Sequence, residues 1–473
     1  CWSCCFSICS NNFQYVSQSD ECSISGNVGG LGYSIEIDFG TLDIAGSVFC
    51  EGIHCLNSAP GQVTTHPIQF AQVWLMAHDF KKMIGPISTD FEGRYSFENV
   101  SRTDSSGQPL VYSIHVILDD GQYVNIIPDI TEPVDEHVSL NSERFGFTKI
   151  QFIGSFASDQ NVPSSIPIIF NNVTEMDAAS TYSFAQRVFE FVIVQLEQSD
   201  IVNYPTISIM VPAPPPPDSN GTAFFQPRSY PTPECFDFAS IDTSCYIGMS
   251  ASSLPSQSGV FWKDTITHEI IHALDWANGG FSGYFETDTW LGRGGLYNTE
   301  RWYIENLATG FSSIINYYIS NQIGTGWSSW NIGVTGPCGI MDIGPEWYTS
   351  DGWQSYSQFR YPPEDINDQD SLYCSLSYVI YDLWDSDDVN DWWNVSPGPS
   401  LNNYEDTDNT NIPLIVLWNL ITKTNNVDSP EEFYSLLITI DVDGDGIAGT
   451  DNDKALIDQI FELHNIPGGS LQI

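Results

Sequence analysis

Positive charge is scarce in this chain: 14 Lys and Arg stand against 60 Asp and Glu in 473 residues, a formal net charge of -46. Such a surface repels nucleic acid phosphates and anionic membrane faces, so neither is an expected partner. Long hydrophobic runs are missing as well. Apolar residues make up 41% of the sequence but are dispersed, and no run approaches the ~20 residues of a membrane-spanning helix. No transmembrane segment is expected. Nor does the sequence open on a charged start followed by an apolar stretch; beginning at Cys1, it reads as a mature chain whose signal peptide has been removed. Histidine is sparse at eight residues. The acidic surplus is tolerated best where salt or divalent cations screen it, as in an extracellular fluid, although it could equally serve solubility alone.

Cysteine is present, and its distribution points the same way. The 11 cysteines fall in close pairs and clusters without the CxxC…CxxC spacing of a structural zinc site, which suggests an oxidising compartment and a secreted protein. Cys50 with Cys55, Cys235 with Cys245, and Cys338 with Cys374 pair by proximity, leaving five in "CWSCCFSICS" and at Cys22. An odd count leaves one thiol for homo-polymerisation or surface attachment through the N-terminus; Cys1 could alternatively carry a lipid. Four Asn-X-Ser/Thr sequons, at Asn99, Asn172, Asn220 and Asn394, agree with secretion and glycosylation.

Residues 1–40 are rich in Cys, Ser and Asn with little periodicity, and read as a segment ordered by disulfides. From 41 to 146 the pattern is of short alternating strands separated by Gly, Asp and Pro turns, the spacing of a β-sandwich. At "ISTDFEGRYSFENV" this stretch resembles the transthyretin-like, carboxypeptidase-regulatory-like domains, a resemblance that implies a fold and little about activity. After residue 147 helical spacing appears in "TYSFAQRVFEFVIVQLEQ", "PTISIMVP" reads as a buried strand, and "CYIGMSA" as a further strand before the next helix.

That helix carries "DTITHEIIHALDW". His268 and His272, four apart, share a helix face and can reach one cation. Glu269, about 100° around from His268, can touch a metal-bound water without ligating the metal. Zinc lowers the pKa of that water toward ~7 and the carboxylate takes its proton during attack on a carbonyl. Ile266, Ile270, Ile271 and Leu274 supply the buried side. The competing reading is a core helix whose histidines make ordinary polar contacts. Asp275 reads either as a brace for a ligand histidine or as a solvated helix residue.

"THEIIHALDW" resembles the active-site helix of the zincin metallopeptidases. Position 275 is Asp where a metzincin has glycine, and the only later histidine is His464, so the metzincin branch does not fit. Gluzincins take a glutamate from a second helix, within E-x-x-[AS]-x-x-F; Glu305, followed by Ala308 and Phe311 and 33 residues past His272, fits that pattern. The resemblance therefore implies His268, His272 and Glu305 as zinc ligands, Glu269 as general base, and a peptide or protein substrate. Glu300 fits worse. It lies five residues before Glu305, about 140° around a helix, and Leu307, Ala308 and Phe311 favour packing on the side nearer Glu305.

A second metal is indicated by "DVDGDGIAGTDND", residues 441–453. Asp441, Asp443 and Asp445 alternate as hard oxygen ligands for calcium, Gly446 permits the turn, and Asp451 and Asp453 follow beside Asn452, which stands where an EF-hand has its glutamate. Flanking helical patterns make this EF-hand-like. "DSDDVND" at 385–391 is a poorer calcium candidate. The expected protein is multidomain: an all-β sandwich, then an α+β zincin-like metallopeptidase domain over 147–473 with a mostly helical C-terminal part. Its expected activity is that of a secreted zinc endopeptidase stabilised by calcium. The alternative is an extracellular structural or adhesive glycoprotein on a zincin scaffold with little or no activity.

Overall fold

The structure is a computed structural model that describes residues 14–18, 21–28, 31–37, 40–56, 62–77, 82–104, 107–128, 146–155, 165–195, 207–213, 223–227, 245–258, 262–277, 307–312, 314–316, 319, 333–336, 339–342, 376, 379–380, 383–384, 412–422, 430–442 and 446–463. The architecture is mixed α/β with a β-rich N-terminal region. Two compact units form, one from residues 1–121 and 146–179, the other from 122–145 and 180–473.

The first unit begins with an antiparallel meander, β1 (Gln14–Gln18), β2 (Glu21–Val28) and β3 (Leu31–Ile37). This regular sheet lies in a stretch whose sequence shows little periodicity. Next come β4 (Thr41–Gly52), β5 (Thr64–Pro67), β6 (Gln72–Ala77), β7 (Lys82–Ser88), β8 (Arg94–Ser101) and β9 (Val111–Ile117). Alternation decides which face is covered: Leu42, Ile44, Val48 and Cys50 of β4 are buried, as are Val73, Leu75 and Ala77 of β6. The Cys50–Cys55 disulfide closes the turn after β4.

Turn chemistry fixes the β7–β8 connection. The buried Thr89 hydroxyl donates to the Ile68 carbonyl and accepts from the Ala71 N–H, at 2.8 and 3.0 Å. Asp90 Oδ1 accepts the N–H groups of Glu92 and Arg94. Gly93 takes φ +73, and a Cβ there would stand 2.6 Å from the Val48 carbonyl oxygen, so only glycine serves.

The boundary read at 146/147 moves. β10 (Val124–Ile127), which the sequence reading ran together with β9, belongs to the second unit, while β11 (Thr148–Ser155) and β12 (Ile166–Phe170) belong to the first. β11 pairs antiparallel with β9, giving the sheet order β11-β9-β6-β7; β12 pairs in parallel with β4, which also holds β5 and β8. The cause is long-range pairing that no local pattern encodes. At the β12–β4 crossing, a Cβ on Gly46 would collide with the Ile166 carbonyl and the Tyr95 hydroxyl, and that hydroxyl donates to the same carbonyl at 2.8 Å.

The second unit is built on a four-stranded sheet of order β10-β13-β15-β14, with β13 (Ile207–Ala213), β14 (Ala223–Pro227) and β15 (Cys245–Ser250). β10, β13 and β15 run parallel, and β14 is an antiparallel edge. Strands β10 and β13 are almost continuously buried, as a parallel sheet covered by helices requires.

Helix α1 (Val173–Gln195) is capped by Asn172, whose Oδ1 accepts the Glu175 N–H while Glu175 Oε2 accepts the N–H groups of Asn171 and Asn172. Within the second unit, Phe189 stacks on Tyr123 at 5.7 Å and Phe184 meets Trp262 edge-on at 5.3 Å. After the short α2 (Pro255–Ser258), α3 (Trp262–Ala277) packs on β14 and β15. Helical residues within 307–319 bury Leu307, Ala308, Phe311, Ile314, Ile315 and Ile319.

A hairpin of β16 (Gly333–Gly336) and β17 (Gly339–Asp342) follows. The C-terminal helices are α4 (Leu414–Thr422), α5 (Pro430–Leu437) and α6 (Asp451–Leu463). Phe311 packs against Trp418, and Tyr434 against Phe461. No described helix is long and apolar enough to cross a membrane.

Candidate metal centre

Helix α3 sets its histidines by periodicity. Ile266, Ile270, Ile271, Ala273 and Leu274 are buried, which fixes the rotation of the helix and places His268 and His272 together on a neighbouring face. Their Nε2 atoms lie 3.0 Å apart, with the rings at 87° and centroids 4.5 Å apart. Two nitrogens bound tetrahedrally to one zinc at 2.0–2.1 Å are separated by about 3.3 Å. The pair therefore presents the right atoms at nearly the right separation.

Thr309 Oγ1 lies 3.3 Å from His268 Nδ1. If Nε2 is to face a cation, Nδ1 carries the proton and donates it to this hydroxyl, an outer contact that holds both tautomer and ring angle. Glu269 is 8% exposed and adjoins His268 in sequence. Asp275 is also 8% exposed, which removes the reading of it as a solvated residue. Glu305 and Glu300 lie outside the described residues. Among the described residues no group of three His, Cys, Asp or Glu side chains converges as a metal site.

Beneath the histidines is a polar layer that the sequence reading did not single out. Asn316 Nδ2 donates to Asp264 Oδ1 at 2.6 Å, and the Thr267 hydroxyl lies 2.8 Å from both Asn316 Oδ1 and the Lys263 carbonyl. Asp264, Thr267 and Asn316 are at most 3% exposed. The available signal was a polar residue interrupting the apolar spacing of 307–319. Lys263 is buried too, its Nζ 5.5 Å from the Phe184 ring and 5.8 Å from that of Trp262.

Burial pushes the Lys263 ammonium down from 10.5 to about 7, against the opposing pull of Asp264. Burial likewise pushes the Asp264 carboxyl well up, against the Asn316 hydrogen bond and the Lys263 charge. For Lys263 the folded state binds fewer protons than the unfolded one between about pH 7 and 10.5, so its contribution to stability rises with pH across that window. Lys263→Met should therefore be more favourable to stability, relative to the wild type, at pH 6 than at pH 9.5. Denaturant titrations of both proteins at these two pH values measure this, and an equal difference at both would contradict it.

At the C-terminus, Asp441 Oδ2 accepts the Gly446 N–H at 2.8 Å, and Gly446 has φ +86. The first position thus closes the loop onto its sixth, the turn that an EF-hand glycine makes. Asp443 and Asp445 lie outside the described residues, and Asp451 begins α6 in an exposed position. Asp453, read from the sequence as a calcium ligand, is fully buried, and its carboxylate accepts hydrogen bonds at both ends of the loop. Its Oδ1 accepts the Val442 N–H, and its Oδ2 accepts the Thr450 N–H and hydroxyl. With Thr450 Oγ1 accepting the Asp453 N–H, the two form a capping box for α6 that also ties down the start of the loop.

Of the sequons, Asn99 and Asn172 are exposed, whereas Asn220 and Asn394 lie outside the described residues. Cys235, Cys338, Cys374 and residues 385–391 also lie outside them. No family model matches this chain, and neither a curated protein sequence nor a solved structure matches it.

Proposed function

We propose that the chain is a secreted zinc endopeptidase, with a regulatory-like β-sandwich ahead of a gluzincin-like catalytic domain. The observation that carries this reading is the approach of His268 Nε2 and His272 Nε2 to 3.0 Å on a helix whose Glu269 adjoins them. Without a metal the two rings can share one Nε2–H···Nε2 hydrogen bond at this distance; what supports zinc is that the same two atoms stand close to the separation of two ligands on one tetrahedral ion, next to a glutamate.

A zinc ion held there supplies a Lewis acid and makes water a nucleophile near neutral pH. Glu269 takes the proton from the attacking water and returns it to the departing amine, the general-base and then general-acid role. Substrate enters beside β14. That strand is the edge of its sheet and packs on α3, so its outer backbone groups can pair with an extended peptide.

Glu305 completes the ligand set. It precedes Thr309, whose hydroxyl lies 3.3 Å from His268 Nδ1, by four residues, a spacing that on a continuous helix would bring the two to one face. Glu300 precedes Thr309 by nine, about 180° around a helix. Two imidazoles and one carboxylate leave the fourth position open, as hydrolysis needs. The test is zinc affinity in Glu305→Ala and Glu300→Ala. Glu305→Ala should lose affinity at least about tenfold and Glu300→Ala should keep it; the reverse order would overturn the assignment and with it the gluzincin reading.

The 441–453 loop takes calcium through Asp441, Asp443 and Asp445, with Asp451 near the rim. Calcium at a hundredfold its Kd stabilises a folded site by about 2.7 kcal/mol. Added calcium should therefore raise the melting temperature by a few degrees in the wild type and leave Asp441→Ala plus Asp443→Ala unmoved. An unchanged wild-type melting temperature would make the loop an acidic turn.

A further inference from the structure

We propose that Asn316 is the positioning residue of the histidine pair: its bonds to α3 select the register at which Thr309 meets His268. The proposal rests on the zinc reading for its purpose but not for its test. Asn316 stands seven residues after Thr309, about 20° short of two full helical turns, so both lie on one face. Their contacts run in opposite order along the two segments, Thr309 with His268 and Asn316 with Asp264 and Thr267.

Most of the 307–319 segment around these bonds is apolar: Leu307, Phe311, Ile314, Ile315 and Ile319 are buried, Phe311 against Trp418, and apolar packing is non-directional and tolerates rearrangement better than a buried hydrogen bond does. Asn316 does not share that tolerance. A slip of one turn, about 5.4 Å, would leave its amide and the Asp264 carboxyl buried and unpaired, the costly condition for polar groups. One buried Asn in an apolar helix interface acts in this way in coiled coils, fixing register at some expense of stability.

Here the register has a chemical consequence, because it puts the Thr309 hydroxyl at His268 Nδ1 and so leaves Nε2 facing His272. The Thr267 hydroxyl contributes the second bond of the lock. Asp264 and Thr267, three residues apart, lie on one face of α3, so Asn316 grips that helix one turn before His268.

The test compares full-length wild type with Asn316→Leu, Thr267→Val and a control, Ile457→Ala, which opens a cavity in α6 away from this contact. Two readouts are taken: the 15N signals of His268 in metal-free, histidine-labelled protein, assigned with His268→Gln, and the affinity for added Zn2+. In Asn316→Leu the His268 signals should move toward those of a free imidazole, and zinc affinity should fall about 10–100-fold, the usual effect of an outer partner. Thr267→Val should shift both in the same direction by less. Ile457→Ala should change neither, even with an equal or larger drop in melting temperature.

Unchanged His268 signals in Asn316→Leu, or the same change in Ile457→Ala, would overturn the role of Asn316. A wild type that takes up no zinc while those signals move would overturn the zinc reading and leave the positioning role supported.

Discussion

Glu269→Gln should lower peptide hydrolysis about 10²–10⁴-fold, the usual contribution of a general base, while stoichiometric zinc stays bound. Glutamine keeps the shape of glutamate, which matters at a site only 8% exposed, but its amide cannot take a proton from water. The carboxylate lies outside the proposed ligand set, so metal content is the internal control. Initial rates on a quenched peptide, together with zinc analysis of the same sample, measure both quantities. Full activity would end the proposed mechanism; lost zinc would make Glu269 a ligand instead.

The second large effect belongs to the histidines. His268→Ala and His272→Ala should each lose zinc, because either change removes one of two imidazoles that converge within 3.0 Å. Structural zinc sites bind with about 10–16 kcal/mol over four ligands, or roughly 3 kcal/mol per ligand, so a single loss weakens binding by at least about 10²-fold. Competition with a chromophoric chelator measures the change. Retention of stoichiometric zinc in either variant at submicromolar metal would show that the pair is not the site. Thr309→Val leaves both ligands in place and should sit between these variants and the wild type.

Local periodicity accounts for what could be read in advance. Strict alternation exposes β4 and β6 in the sequence, and the four-residue histidine spacing with flanking isoleucines exposes the face of α3. Pairing between distant segments could not be read. The join of β12 to β4 links residues more than a hundred positions apart, and it carries residues 147–179 across the boundary that composition had drawn. β10 went astray for a related reason. Four consecutive buried residues look like the continuation of β9, and only the parallel pairing with β13 separates them.

The candidate site divides in the same way. Its histidines and Glu269 are legible because the chemistry repeats at helical spacing, whereas Thr309 and Asn316 meet α3 across 41 to 52 residues. Helical periodicity marks them as inward-facing without naming a partner. Asp453 shows how one residue fits two local patterns: in a calcium-like run it reads as a ligand, and three residues after Thr450 it also reads as a helix cap, whose hydrogen bonds it makes.

Anomalous scattering at the zinc edge, from crystals of the full chain grown with zinc, tests the central claim most directly. The account predicts one strong peak about 2.0–2.1 Å from Nε2 of both His268 and His272, with the Glu305 carboxylate as third protein ligand and Glu269 close by but not ligating. A map with no peak between the two Nε2 atoms, at full zinc occupancy elsewhere or with none bound, would contradict it.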